Sequence, residues 1–345
     1  MHLLLGRLAY DYAANKIEKL RKDIETWREV TLGAGSENET QKYQHHRREK
    51  TMFTIVGITG NVGGSTAKAL LDAGKKVRGI VRDKAKAAHW AKQGAELMQG
   101  DLNDIGLLTE AFRGCDGVFV MMPPYFAPAP GFPETKGIVA NIKTAMAAAK
   151  PKKAVYLSSV GAHRERGLGL ITQSHILERE MRTLPCANAF IRAAWFLDNY
   201  QWDVRSAQER GEIDAYLAPA NRGVSMVATN DIGELAAKTL QQEWSGNRIL
   251  ELEGPEKYSP NDAAAAFSKL LGRPIKTNPI KRSEWQRLFV QQGSAEDRTT
   301  PRIEMLDGFN SGWIDFEGDD AEHFKGKLTI EQVIKSLIAK NSVTV

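Results

Sequence analysis

The stretch Gly57-Ile58-Thr59-Gly60-Asn61-Val62-Gly63-Gly64 carries four glycines in eight residues, after the apolar run Met52-Phe53-Thr54-Ile55-Val56 and before Ser65-Thr66-Ala67-Lys68-Ala69-Leu70-Leu71. An apolar β-rich run, a glycine-dense turn and an amphipathic stretch read as strand, loop and helix. The alternation continues downstream. Further strands are expected at 77–81, 96–99, 117–121, 154–158 and 187–192, with helices at 65–73, 84–92, 105–112, 135–149 and 172–184. Strands separated by helices specify a parallel sheet covered on both faces. Right-handed crossovers then make the sheet doubly wound. The expected fold class is α/β, with a smaller, mostly C-terminal α+β region beyond the sheet.

Gly57, Gly60 and Gly63 recur every third residue. Glycine at such a turn permits a sharp bend, close main-chain approach to a diphosphate, and tight packing of helix on strand. Backbone N–H groups and the positive helix end favour an anion there. Gly57, Thr59, Gly60, Asn61, Val62 and Gly63 are therefore read as the cradle of a dinucleotide. The spacing is GxxGxxG rather than the usual GxGxxG, and a glycine-rich turn without a ligand is the competing reading.

The second strand bears on which dinucleotide. An acidic residue about 20 residues past the glycines usually takes the adenosine ribose. Here the strand ends Val81-Arg82-Asp83, with Lys86 a turn further on. A guanidinium forks two hydrogen bonds onto a phosphate, so Arg82 favours NADP(H) over NAD(H). Two alternatives stand: Asp83 serves a ribose, or Arg82 is a solvated surface residue. Asp101 and Leu102, after the third strand, are placed against the adenine, unless Asp101 merely caps the next helix. Met122, after the fourth strand, is placed near the ribose and nicotinamide.

The chain has 345 residues, enough for a large core and two domains. Hydrophobic residues at 42% and charged residues at 26% suit a globular protein rather than a fibrous or disordered one. No apolar run reaches the length of a membrane span. Two cysteines, Cys115 and Cys186, are too few for a disulfide framework and fit a cytoplasmic setting. A net charge of +5 without a basic, aromatic-interleaved stripe makes nucleic acid an unexpected partner. Residues 1–33 have apolar positions at helical spacing and are followed by a polar linker, so residues 1–51 are expected to be an appendage. A docking or dimerisation helix is the alternative, leaving room for a homo-oligomer or a protein partner. The division expected is 1–51, 52–195 for nucleotide binding and 196–345 for substrate, with 248–252 returning a strand to the main sheet.

Taken together, VGITGNVGGSTAKALLDAGKKVRGIVRD (56–83), GDLND (100–104), AAWFLDNY (193–200) and VATNDIGELAAKTL (227–240) resemble the NmrA-like group of atypical short-chain dehydrogenases/reductases. The resemblance covers about residues 52–345 and is strongest through the first 200 of those. It implies a Rossmann core with a smaller substrate region, and either NAD(P)H-dependent reduction of quinones or azo dyes or dinucleotide sensing without turnover. Residues 1–51 have no counterpart in it.

Ordinary short-chain dehydrogenases use Tyr-x-x-x-Lys after the fifth strand, where Tyr donates a proton. The one such spacing here, Tyr12 to Lys16, precedes the nucleotide fold and is read as chance. The expected region offers Ser158 and Ser159, then Gln173-Ser174-His175-Ile176-Leu177-Glu178. Ser158 is read as a catalytic and cofactor-binding candidate. The resemblance places His175 at the nicotinamide ribose or a substrate oxygen, with Glu178 on the same helix face in support. A structural histidine fastening the loop is the other reading of His175, and His163 is expected at the loop surface. Without the tyrosine, an acceptor whose reduction yields a stabilised anion, such as a quinone or azo compound, is favoured over a simple carbonyl. A nucleotide-sugar epimerase or dehydratase is disfavoured for the same reason. No metal is expected, since no cluster of carboxylates or cysteines accompanies His45 and His46.

The remaining signals are softer. The aromatics from Trp195 to Trp202 either wall a pocket for a planar acceptor or pack the two regions together. Asp231 is expected to cap a helix, as is Ser259 in Ser259-Pro260-Asn261-Asp262. Met305 to Trp313 is either a lid or a plain helix–loop connection.

Overall fold

The computed structural model describes residues 51–318 and 320–342, with Lys22 alone before them. The expected N-terminal helix and linker, the Tyr12–Lys16 spacing and the His45–His46 pair lie outside the described residues.

The strands are β1 (Met52–Val56), β2 (Lys76–Val81), β3 (Glu96–Gln99), β4 (Gly117–Val120), β5 (Lys153–Ser159), β6 (Ala187–Ala193), β7 (Trp195–Phe196), β8 (Glu212–Ala215), β9 (Val224–Val227), β10 (Asn247–Glu253), β11 (Lys257–Tyr258), β12 (Lys276–Pro279) and β13 (Glu322–Lys325). The helices are α1 (Asn61–Asp72), α2 (Ala88–Lys92), α3 (Ile105–Phe112), α4 (Pro133–Ala149), α5 (Thr172–Met181), α6 (Val204–Arg210), α7 (Thr229–Leu240), α8 (Pro260–Leu271), α9 (Trp285–Gln291), α10 (Thr300–Ser311) and α11 (Ile330–Ser342).

Eight strands form one sheet in the order β13-β10-β6-β5-β4-β1-β2-β3. Every pairing in it is parallel. From β1 the chain winds outward through β2 and β3, then returns to β4 on the other side and winds away through β5 and β6. The direction reverses between β1 and β4, which is the position where open α/β sheets take ligands at their strand C-termini. Apolar side chains cover both faces. Phe53, Ile55, Val155 and Ile191 pack with α1 and α7 on one face, while Val118, Val120, Tyr156 and Phe190 pack with α3, α4 and α5 on the other. Helices α1 and α7 approach so closely that a Cβ on Gly233 would lie 2.4 Å from the Ser65 Cβ.

A second core joins residues 160–171 to the C-terminal part of the chain, through Leu197, Val204, Phe267, Phe309 and Ile334. Small sheets of β11-β9-β7 and β12-β8 accompany it. Strand β10 takes its place beside β6, as expected for 248–252. Strand β13 beside it was not foreseen, because Glu322-His323-Phe324-Lys325 lies at the sheet edge, mostly exposed, and has no apolar alternation.

Three expected elements shift for local reasons. Helix α1 begins at Asn61 rather than 65, taking Gly63 and Gly64 into its first turn. The helix expected at 84–92 shrinks to α2 because the Asp83 carboxylate accepts from the N–H groups of Ala85 and Lys86 at 2.8 and 3.2 Å, holding a turn instead. The helix expected to end at 184 stops at Met181. Two capping assignments are also corrected. Asp104, not Asp101, caps α3 through the Leu107 N–H, since it stands directly before the first helical residue. Asp231 sits inside the first turn of α7 and accepts from the N–H groups of Lys327 and Leu328 at 3.0 and 3.1 Å, tying the chain after β13 to that helix. Ser259 forms the expected cap, reciprocated by Asp262.

Candidate functional site

At the C-terminal end of β1 the backbone turns at Gly57 with φ +82°, a region L side chains rarely adopt. Gly60 donates its N–H to the Gly57 carbonyl at 2.9 Å and precedes α1 in extended conformation. Gly63 then passes so close that a Cβ on it would lie 2.1 Å from the Gly57 oxygen. The three-residue spacing thus has a steric cause. One glycine bends the chain, the next enters the helix, and the third clears the carbonyl of the first. No side chain caps this end of α1 and no acidic residue stands in its first turn. Its N–H groups and the positive end of the helix face the strand C-termini with no competing carboxylate of their own. Thr59 and Asn61 are exposed on the turn, while Val62 is buried beneath it.

Arg82 follows β2 next door, exposed, and among the described residues its guanidinium has no hydrogen-bond or ion-pair partner. Asp83 is occupied with the Ala85 and Lys86 amides, which leaves Arg82 and Lys86 as the groups without such a commitment. Asp101 accepts from the backbone and side-chain nitrogens of Asn103 at 2.7 and 2.6 Å. Leu102 packs on the α3–α4 side of the core. After β4, the Met121 side chain lies over Gly57, filling the space where a Cβ would stand, and Met122 turns to the opposite core.

The other half of the sheet is built differently. Ser158, Arg192, Glu251 and His323 stand in register across β5, β6, β10 and β13. Arg192 is 1% exposed and Glu178, from α5, is 3% exposed. The guanidinium grips Glu178 with Nε at 3.0 Å and Nη2 at 2.9 Å. Its Nη1 pairs with Glu317 and lies 3.8 Å from Glu251. Glu178 also accepts from the Ser158 hydroxyl at 2.6 Å and from Arg182 at 2.8 Å. Burial alone would raise the Glu178 carboxyl, but the hydrogen bonds and charge of Arg192, with those from Ser158 and Arg182, hold it below its usual range. Burial likewise opposes the Arg192 charge, and Glu178 and Glu317 outweigh it.

This network changes the picture of two sequence candidates. Ser158 is 4% exposed and commits its proton inward to Glu178. Glu178 does not support His175, because its oxygens are taken by Ser158, Arg182 and Arg192. His175 instead fastens the loop after β5, with Nδ1 3.0 Å from the Ala162 carbonyl. A carbonyl only accepts, so Nδ1 carries the hydrogen and a neutral His175 presents a lone pair at Nε2. His163 is half-buried rather than on the loop surface, and its Nδ1 is buried without a partner. Burial first, then the Arg192 charge, pushes its pKa down.

The loop after β5 is locked on its outer side. A Cβ at Gly169 would lie 2.1 Å from the Pro301 oxygen, and Gly167 touches the Trp313 ring. The Trp313 Nε1 donates to the Arg166 carbonyl at 3.0 Å. Residues 305–313 are therefore the end of α10 and its Gly312 cap, packed on this loop. Gln173 joins the loops after β4 and β5, donating to the carbonyls of Tyr125 at 3.0 Å and Leu170 at 3.3 Å. Of the aromatics at 195–202, Trp195 packs edge-on against Phe309 and Tyr200 against Phe267, both within cores. Asp198 is spent on the amide and hydroxyl of Thr229. Only Trp202 of this group is largely exposed. Among the described residues no group of His, Cys, Asp or Glu is arranged to hold a metal, and no helix is long and apolar enough to cross a membrane. Both cysteines are free, and burial pushes Cys115 up to about 11.

Comparison with known proteins places this geometry. The NmrA-like family profile matches residues 49–299. An NAD(P)H azoreductase of Xenophilus azovorans is 26% identical over 245 residues, 71% of this chain and 82% of that protein. Quinone oxidoreductase 2 of Escherichia coli is 25% identical over 227 residues, 65% of this chain and 76% of that protein. Among solved structures, the NADPH complex of the Escherichia coli quinone oxidoreductase superposes with TM-score 0.68 at 20% identity, covering 83% of this chain and 99% of that one. A triphenylmethane reductase of Citrobacter does so with TM-score 0.67 at 23% identity, covering 84% and 99%.

Proposed function

The chain belongs to the NmrA-like family, and on that premise we propose that it is an NADP(H)-dependent oxidoreductase acting on a quinone-like or azo acceptor. The observation that carries this reading is the Gly57–Gly60–Gly63 turn at the sheet's reversal point, with its uncapped helix end and, one strand away, an Arg82 that has no partner among the described residues. A Cβ at Gly63 would close the turn, so the cradle fits a diphosphate held by main-chain amides. Arg82 and Lys86 supply the positive charge for the adenosine 2′-phosphate, while Asp83 is engaged locally. With the adenosine on the β2 side, the nicotinamide end would lie toward β4 and β5, where Met121 and Met122 follow β4. Bound NADPH supplies a hydride, two electrons and one proton.

The chain's own share is positioning. Met121 packs on the turn, and His175, with Nδ1 turned to the Ala162 carbonyl, directs Nε2 to a ribose hydroxyl. No Tyr-x-x-x-Lys pair stands after β5. A quinone suits such a site, because hydride addition leaves a stabilised hydroquinone anion that takes its second proton from water. Relatives named for azo and quinone reduction support the acceptor class. The test is consumption of NADPH at 340 nm against a panel of quinones and azo dyes. Acceptor-dependent oxidation is expected with at least one. Tight NADPH binding with no consumption on any would favour a dinucleotide sensor instead.

A further inference from the structure

The loop after β5 reads Ala162-His163-Arg164-Glu165-Arg166-Gly167, and its second cation is set apart from the rest of the molecule. Half-buried and buried arginines elsewhere all have partners. Arg78 pairs with Glu96, Arg192 with Glu178, Arg248 with Glu322 and Arg298 with Glu134; Arg222 donates to main-chain carbonyls, and Arg302 to Gln292. Among the described residues, Arg164 is the one buried or half-buried arginine whose guanidinium makes neither a hydrogen bond nor an ion pair. It lies 3.9 Å from the centre of the Trp313 ring, and its Nε is buried without an acceptor. The neighbouring His163 Nδ1 is equally without one. A half-buried guanidinium whose Nε is shut off from water and meets no acceptor is costly unless something else completes it.

The platform is rigid. Trp313 is anchored through Nε1 to Arg166, and Gly161 and Gly167 press on Ile314 and Trp313. It stands at the C-terminal end of β5, on the same edge of the sheet as the glycine turn. The loop after β4, with Phe126 54% exposed, is tied to it by Gln173.

We propose that Arg164, stacked on Trp313, is a specificity-determining residue that binds an anionic substituent on a planar aromatic acceptor. This rests on the oxidoreductase reading and narrows it to acceptors carrying a sulfonate, carboxylate or phosphate. The planar fork of a guanidinium matches such oxyanions with two parallel hydrogen bonds, and the indole face beneath it leaves its edge for the ligand. The ring system of the acceptor is held by the aromatic and apolar surroundings, so the anion contact adds affinity without entering the chemistry.

The experiment compares anthraquinone-2-sulfonate with 2-(hydroxymethyl)anthraquinone, a neutral counterpart, for the full chain and for Arg164→Gln. Binding is read by tryptophan fluorescence, turnover by NADPH consumption, and NADPH affinity is measured alongside. The sulfonate should bind about tenfold more tightly than the neutral compound, as one charge-assisted pair provides. Arg164→Gln should erase that difference, leave the neutral quinone and NADPH within about twofold, and remove the salt dependence of sulfonate binding. Equal affinity for the two quinones in the unaltered protein would overturn the proposal while leaving the oxidoreductase reading intact. So would a parallel loss of both in Arg164→Gln. Failure of the unaltered protein to bind NADPH or to reduce either quinone would strike the underlying reading and the proposal with it.

Discussion

The two halves of the main sheet solve the same packing problem by opposite means. At the reversal point β1 and β4 are almost wholly apolar, and the site at their ends is made of backbone, by glycines three residues apart that pack against one another. From β5 to β10 a buried polar row crosses the sheet, held by one guanidinium among Glu178, Glu251 and Glu317. The first half concentrates its proposed cofactor site in eight consecutive residues. The second draws its charges from positions 178 to 317 and uses them to join strands, helix α5 and the segment before β13. Main-chain sites are short in sequence because they need only the absence of side chains. Side-chain networks gather from wherever the fold brings charges together.

That contrast predicts different failures. Gly63→Val would drive a side chain into the Gly57 carbonyl, so NADPH affinity should fall by about 100-fold or more, as expected when several charge-assisted amide contacts are lost. Direct titration checks this, and a melting curve showing that the variant folds separates ligand loss from unfolding. Arg192→Met attacks the other half. It leaves Glu251 buried without its cation and Glu178 with Arg182 alone, which costs about 3–5 kcal/mol, and Tm should fall by roughly 10 °C. A Tm within a degree or two of the unaltered protein would show that the polar row does not hold this half together.

Legibility in the sequence followed the same division. The apolar runs of β1 to β6 and the helices between them carry strong periods, and their order implied a parallel sheet with its ligand edge at Gly57–Gly63. Strand β13 did not, because an exposed edge strand of four residues needs no apolar pattern. Arg192, Glu251 and Glu317 had no local signal. Each is an ordinary charged residue until β6, β10 and the chain before β13 lie side by side. Glu178 was noticed for its spacing from His175, yet helical spacing says only which face a residue occupies, not which strand receives it. Arg164 escaped notice for the same reason, since its distinction is the lack of a partner in three dimensions.

A smaller effect sharpens the glycine half. Arg82→Ala should weaken NADPH about 10- to 100-fold, the range for a lost guanidinium–phosphate pair, and leave NADH within about twofold. Equal losses for both would remove Arg82 from 2′-phosphate recognition. The smallest effect lies outside both halves. Burial pushes the Asp203 carboxyl up to about 7, against the Asp214 N–H that favours its charge. The folded protein thus keeps a proton that the unfolded chain releases near its ordinary value of 3.8. Stability should therefore fall as pH rises between those values and stay lower above them. Asp203→Asn keeps the acceptor and removes the charge, so it should raise Tm at pH 8 by a few degrees and by less than half as much at pH 5. A gain of the same size at both would assign the effect to packing.

The central claim is that bare main-chain amides at the β1–α1 turn hold the diphosphate of NADP(H). Isothermal titration of NADPH and NADH into the protein tests it most directly. We expect saturable binding at one site per chain, tighter for NADPH than for NADH and lost in Gly63→Val. No saturable binding of either coenzyme, or binding undiminished in a folded Gly63→Val, would contradict it.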